Sequence, residues 1–296
     1  MTTHMGGDCG NVLSRRQMLQ GGLAAAIGAM SKEGDTLAQN QAQEAESRGM
    51  SAVGVRAVDI HAHYYPESYL NVFNEDGKRF NAEYHMADQG FYYKTPNGSG
   101  GPMAIKHIDL KQRIADMDQQ GVAVQAVSLT TPMTYWGDAE VSHKLARAWN
   151  DGASAAHQTY PTRLVALLTL PMLYPDRATD ELDRASKLPG IRGVYMGANV
   201  NNKDLDDPLF ESTWTRIEQL DLPVFLHPQQ SQQREPVGGE RVHPFHLSNL
   251  LGNPFDTAIA ACHLIFGGVL DRHVLDVDPE GTDLAEQAGE LAGLVA

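Results

Sequence analysis

Two histidines stand one residue apart in Asp59-Ile60-His61-Ala62-His63, at the end of a short strand-like stretch. On an extended strand residues i and i+2 face the same side, so His61 and His63 can aim both imidazoles at one point. Neutral imidazole is a common ligand for zinc and related divalent ions. A lone His-x-His is as readily a pair of surface or packing histidines. The third histidine, His227, makes the pattern more specific. It directly follows Val224-Phe225-Leu226 and precedes Pro228, which places it at another strand end. No Gly-rich phosphate loop, Ser-His-Asp order or Cys-x-x-Cys accompanies these residues.

The elements that would carry them alternate. After His63, the stretch from Tyr64 to Met103 reads as a long irregular loop over a site, rich in Asn, Gly, Tyr and Phe. Gln112–Gln120 reads as a helix stopped by Gly121. Val122–Leu129 is a buried strand, Glu140–Gln158 a helix, Leu164–Leu170 a strand and Asp176–Lys187 a helix. Gly193–Met196, Leu209–Leu220 and Pro223–Leu226 come next as strand, helix and strand. Near-continuous apolar strands separated by helices predict a parallel sheet covered by helices. With units of roughly 30 to 50 residues and the chemistry at strand ends, this favours a (β/α)8 TIM-barrel-like fold over an open sheet.

The chain has 296 residues, 42% of them hydrophobic, and a formal net charge of −14. That balance argues against a nucleic-acid partner or an anionic membrane face. It does not exclude an anionic substrate in a local basic pocket. Arg15-Arg16 ahead of the uncharged Gly/Ala-rich run from Gln20 to Ser31 has the form of a twin-arginine export signal. The run is too short and too weakly apolar for a permanent membrane helix. The expected organisation is a signal peptide over residues 1–38, a polar tether over 39–54, a barrel over 55–272 and an acidic tail over 273–296, with a periplasmic or secreted product. Of the two cysteines, Cys9 lies in the signal, which leaves Cys262 and no internal disulfide.

Several stretches together resemble the amidohydrolase-related superfamily, and within it the aminocarboxymuconate-semialdehyde decarboxylase branch. They are Asp59-Ile60-His61-Ala62-His63, the run from Arg113 to Val122 continuing into Gln125-Ala126-Val127-Ser128, and Leu170-Pro171-Met172. Gly193 through Leu205, Val224 through Pro228, and Asn253-Pro254-Phe255-Asp256-Thr257 through Val269 complete the set. The resemblance implies a metal-dependent hydrolase fold and one divalent metal, usually zinc, held by His61, His63 and His227. It also implies a strand-six histidine as proton shuttle and a strand-eight aspartate as ligand, and neither has a counterpart here. The family pattern stops after Asp271-Arg272, so the barrel is expected to be incomplete after its fifth strand, as in a truncated or frameshifted product. Relatives often carry Trp after the His-Pro of strand five, where this chain has Gln229.

The implied activity is decarboxylation of a small unsaturated or aromatic carboxylic acid. Hydrolysis or hydration by the same fold is the alternative, and a catalytically impaired remnant a third. Open strand edges would favour homo-oligomers. Trp136 and Gln229 are the candidate substrate contacts, with Tyr135 beside Trp136 as a further pocket wall. His85, His107, His243 and His246 read mainly as loop residues, with a substrate contact from His85 or His107 and an approach to the metal by His243 or His246 as the lesser readings. His143, His157 and His263 read as structural, and Arg113 as the partner of a carboxylate.

Overall fold

The computed structural model describes residues 57–229 and 239–273. The proposed export signal, the tether, most of the loop after Gln229 and the acidic tail lie outside them. Each long apolar run becomes a parallel strand: β1 Ala57–His63, β5 Val122–Ser128, β6 Leu164–Leu168, β7 Ile191–Gly197 and β10 Val224–His227. Their order in the sheet, β1-β5-β6-β7-β10, is their order in the chain. A doubly wound sheet would reverse direction at a switch point. Stepping always to the same side is the winding of a (β/α) barrel, and the five strands form an incomplete one. Between β7 and β10 the chain adds a short antiparallel pair, β8 (Asn199–Val200) and β9 (Lys203–Asp204).

The crossovers are helices, as parallel pairing requires. α2 (Leu110–Gln120), α3 (Ala139–Thr159), α4 (Pro175–Ala185) and α5 (Glu211–Leu220) precede β5, β6, β7 and β10 in turn. α2 starts at Asp109, whose carboxylate accepts from the amides of Lys111 and Gln112 at 2.8 and 3.2 Å. It stops at Gly121, held at φ +71°, a left-handed conformation that favours glycine. After β10 come α6 (Asn253–Phe266) and α7 (Val269–Arg272).

The stretch from Tyr64 to Met103 is not an irregular loop. It opens with α1 (Glu67–Glu75) and continues into an antiparallel sheet of β2 (Glu83–Ala87), β3 (Gly90–Thr95) and β4 (Gly98–Met103). The Tyr and Phe residues that suggested a site cover are largely core. Tyr65, Tyr69, Phe73 and Phe91 are buried and meet ring to ring, with Tyr65 and Phe91 at 4.9 Å. Glycine content hid these strands, because Gly98, Gly100 and Gly101 suggest turns, whereas Gly101 in β4 sits where the Phe91 carbonyl approaches too closely for a Cβ.

This aromatic layer pins the end of β1. The Trp149 indole donates to the Tyr64 carbonyl at 2.8 Å, and the Tyr64 amide donates to the Ser128 carbonyl at 3.0 Å. The hydroxyls of Tyr65 and Tyr69 donate to the carbonyls of Thr131 and Met133. The chain leaving His63 is therefore fastened to the chain leaving β5.

Candidate metal centre

The parallel register sets the faces of β1. Asp59 stands opposite Gln125 and His63 opposite Ser128. Between Asp59 and Ala62 the strand carries one residue more than β5 does between Gln125 and Val127, a bulge. Gln125 and Ser128 are three apart, so they lie on opposite faces of a pleated strand. Asp59 thus shares a face with Gln125, while His63 shares one with Ser128.

At the strand ends the three histidines converge. Ring centroids are 4.8 Å apart for His61 and His63, 5.3 Å for His61 and His227, and 5.0 Å for His63 and His227. One nitrogen from each of the three lies within 4.8 Å of the other two. Three imidazoles on two strand ends form a site for a divalent metal ion.

The donor set fits such an ion. Burial, then the neighbouring His227 and His61, push the His63 imidazole down to about 2. Burial and His61 push His227 down to about 3. Both rings are therefore neutral, the ligand form, at physiological pH. His63 Nδ1 lies 3.2 Å from Ser128 Oγ, which orients its ring and leaves Nε2 for an ion. His227 Nδ1 is buried without a hydrogen-bond partner among the described residues. Tyr195 packs beside His63 and His227, at 6.2 and 5.4 Å between centroids, with its buried hydroxyl close to Ser128.

Next to the histidines is a pocket of about 220 Å³, lined in part by Asp59, His61, His63, Lys106, His107 and Arg113. His107, read as a loop residue, ends up in this wall. Burial first, then Arg113 and Lys106, lower its pKa, and its Nδ1 has no partner among the described residues.

The other candidates scatter. Trp136 is buried in the aromatic core, 4.7 Å from the Phe73 ring, and does not line this pocket. Tyr135 is buried as well, its hydroxyl accepting from the Gly197 amide at 3.3 Å. Gln229 sits two residues past His227. Its amide donates to Asp256 at 2.7 Å, its carbonyl accepts from Asn199 at 2.9 Å, and its side-chain oxygen is buried without a partner. His85 stacks on Tyr92 at 5.3 Å, away in the antiparallel sheet. His243 and His246 are exposed. His157 and His263 are structural, bonded to the Leu164 carbonyl at 2.7 Å and to Asp206 at 2.9 Å, and His143 lies 3.8 Å from Glu181.

Arg113 does not hydrogen-bond a carboxylate. It donates to the Gln125 side-chain oxygen at 2.8 Å and to the His63 carbonyl. Sequence reasoning gave no role to Asp59, Gln125, Ser128 or Tyr195, although all four lie in the stretches it singled out. The signal was their spacing around His61 and His63, legible once the register is known.

Comparisons with known proteins agree with this geometry. The amidohydrolase family profile matches residues 58–277, and the chain belongs to that family. A 2-amino-3-carboxymuconate-6-semialdehyde decarboxylase of Dictyostelium discoideum is 29% identical over 225 residues, covering 73% of this chain and 59% of that protein. A gamma-resorcylate decarboxylase of a Rhizobium strain is 29% identical over 172 residues, covering 54% of this chain and 51% of that one. The chain thus spans little more than half the length of these relatives. The crystal structure of 5-carboxyvanillate decarboxylase from Novosphingobium aromaticivorans, in complex with manganese and a nitrobenzoic acid, shares the fold. It has a TM-score of 0.58 at 20% identity, covering 76% of this chain and 64% of that one.

Replacing Ser128 by Ala removes the hydroxyl beside His63 Nδ1 and little volume. The expected result is a roughly 10-fold weaker divalent-metal affinity with an unchanged melting temperature, read by chelator competition and by calorimetry. An unchanged affinity would remove Ser128 from the site.

Proposed function

We propose that the protein is a metal-dependent carboxy-lyase acting on a small unsaturated or aromatic carboxylic acid, with zinc held by His61, His63 and His227. The observation that carries the reading is the convergence of these three imidazoles at two strand ends of an amidohydrolase fold. The decarboxylases among its relatives supply the reaction class. Nitrogen donors suit zinc, and three protein ligands leave a coordination position open for a small molecule. When bound, the ion supplies Lewis acidity and lowers the pKa of a coordinated water.

The protein's own groups then have definite tasks. Ser128 holds the ring orientation of His63. Lys106, in the pocket wall, attracts a carboxylate. Gln229, just beyond His227, is in reach of a polar substituent. The Tyr195 hydroxyl, next to two of the histidines, is available to donate to a bound oxygen.

The test combines elemental analysis with carbon dioxide release from a panel of aromatic and unsaturated carboxylic acids. About one zinc per chain and release that falls at least 100-fold in the His61→Ala/His63→Ala variant are expected. Equal metal content in both proteins, or metal binding with no release from any acid, overturns the reading. Manganese in place of zinc overturns the choice of ion alone.

The mature protein is further proposed to be periplasmic or secreted, on the strength of Arg15-Arg16 and the Gly/Ala-rich run after it. No helix among the described residues is long and apolar enough to cross a membrane. Changing both arginines to Lys is expected to abolish periplasmic recovery, and unchanged recovery would refute the route. Self-association of the chain is the companion proposal. It is supported by the exposed side chains of Phe245, Leu250, Phe255 and Phe266 and by the outer positions of β1 and β10 in the sheet. Light scattering on the purified protein should read a multiple of the chain mass, and a monomer would contradict it.

A further inference from the structure

Around the first two histidines runs a closed hydrogen-bonded ring. The His61 amide donates to Asp59 Oδ1 at 3.0 Å, and Asp59 Oδ2 accepts from Gln125 Nε2 at 2.9 Å. Gln125 Oε1 accepts from Arg113 Nη1 at 2.8 Å, and Arg113 Nη2 donates to the His63 carbonyl. The ring leaves the main chain at His61 and returns to it at His63. Its direction is fixed by chemistry: a guanidinium only donates and a carboxylate only accepts. Gln125 therefore has one amide orientation that satisfies both neighbours.

Arg113 is an expensive residue to place here. Its side chain is buried, at 6% exposure, and its Nε has no partner among the described residues. The hydrogen bonds it makes are to neutral oxygens, and the nearest balancing charge in the ring, Asp59, is reached through Gln125. Tyr64 lies below it, 5.9 Å from guanidinium carbon to ring centroid. A buried cation without a directly bonded carboxylate contributes little or nothing to stability, and an apolar side chain of similar volume often does as well or better. What Arg113 does accomplish is local. At the bulge the strand ladder is interrupted, and the ring replaces the missing restraint on the two residues that carry the imidazoles.

We propose that Arg113 is a positioning residue for the metal centre: through Gln125 and Asp59 it locks the main chain of β1 at His61 and His63, so that both imidazoles are aimed before an ion arrives. The inference rests on the reading of His61, His63 and His227 as a metal site. It assigns Arg113 to the binding geometry and not to the substrate.

Arg113→Met, which fills the volume without donating, tests it together with Gln125→Leu, which cuts the ring while leaving the cation. Zinc affinity is read on the full chain by competition with a chromophoric chelator, and the metal-free melting temperature by calorimetry. Both variants are expected to bind zinc about 10- to 100-fold more weakly at a melting temperature within a few degrees of the parent. The double variant should be no worse than the weaker single one, because one ring is broken once. Arg113→Lys should recover part of the loss. If Arg113→Met does not fold, Gln125→Leu and Arg113→Lys carry the same comparison. Parent-like zinc affinity with a lowered melting temperature overturns the proposal and leaves the proposed function standing. A parent protein that binds no zinc overturns both.

Discussion

The site depends on the extra residue in β1 between Asp59 and Ala62. Without it, strict alternation would put Asp59, His61 and His63 on one face. With it, Asp59 turns toward Gln125 and Arg113, while His63 turns toward Ser128, Tyr195 and His227. One irregularity thus separates the groups that hold the backbone from the groups that offer nitrogen. The neighbouring aromatic layer fixes the chain just beyond the strand, since Trp149 and Ser128 both take hydrogen-bonding groups of Tyr64.

Much of the fold was legible because its strands are short apolar runs and its helices have clear stops. Gly121 ended α2 where expected, and the five parallel strands and their helices fall within a few residues of the sequence reading. His61, His63 and His227 could be picked out because strand ends are where barrels place chemistry. The antiparallel sheet of β2, β3 and β4 was missed because its glycines imitate turns and its exposed face, with Glu83, His85 and Met86, gives no apolar run. Arg113 was assigned a carboxylate partner on general grounds. The identity of its true partners required the register, which no pattern in a single strand supplies.

The energetic logic of the centre is one of burial against charge. Desolvation keeps His63 and His227 neutral, and neutrality is what a metal requires of them. The same burial makes Arg113 costly, and the ring through Gln125 to Asp59 offsets part of that cost at a distance. Cation and imidazoles share one pocket wall and are joined through the His63 carbonyl. The peptide unit is thereby the mechanical link between the two, and the ring orientation of His63 is set separately by Ser128.

The central claim is that three imidazoles of this chain share one ion. X-ray absorption at the metal edge of zinc-loaded protein tests it most directly. The account predicts a first shell with three histidine nitrogens at about 2.0 Å, falling to two when His227 is replaced by Ala. A shell without histidine scattering, or one that the His227 replacement leaves unchanged, would contradict it.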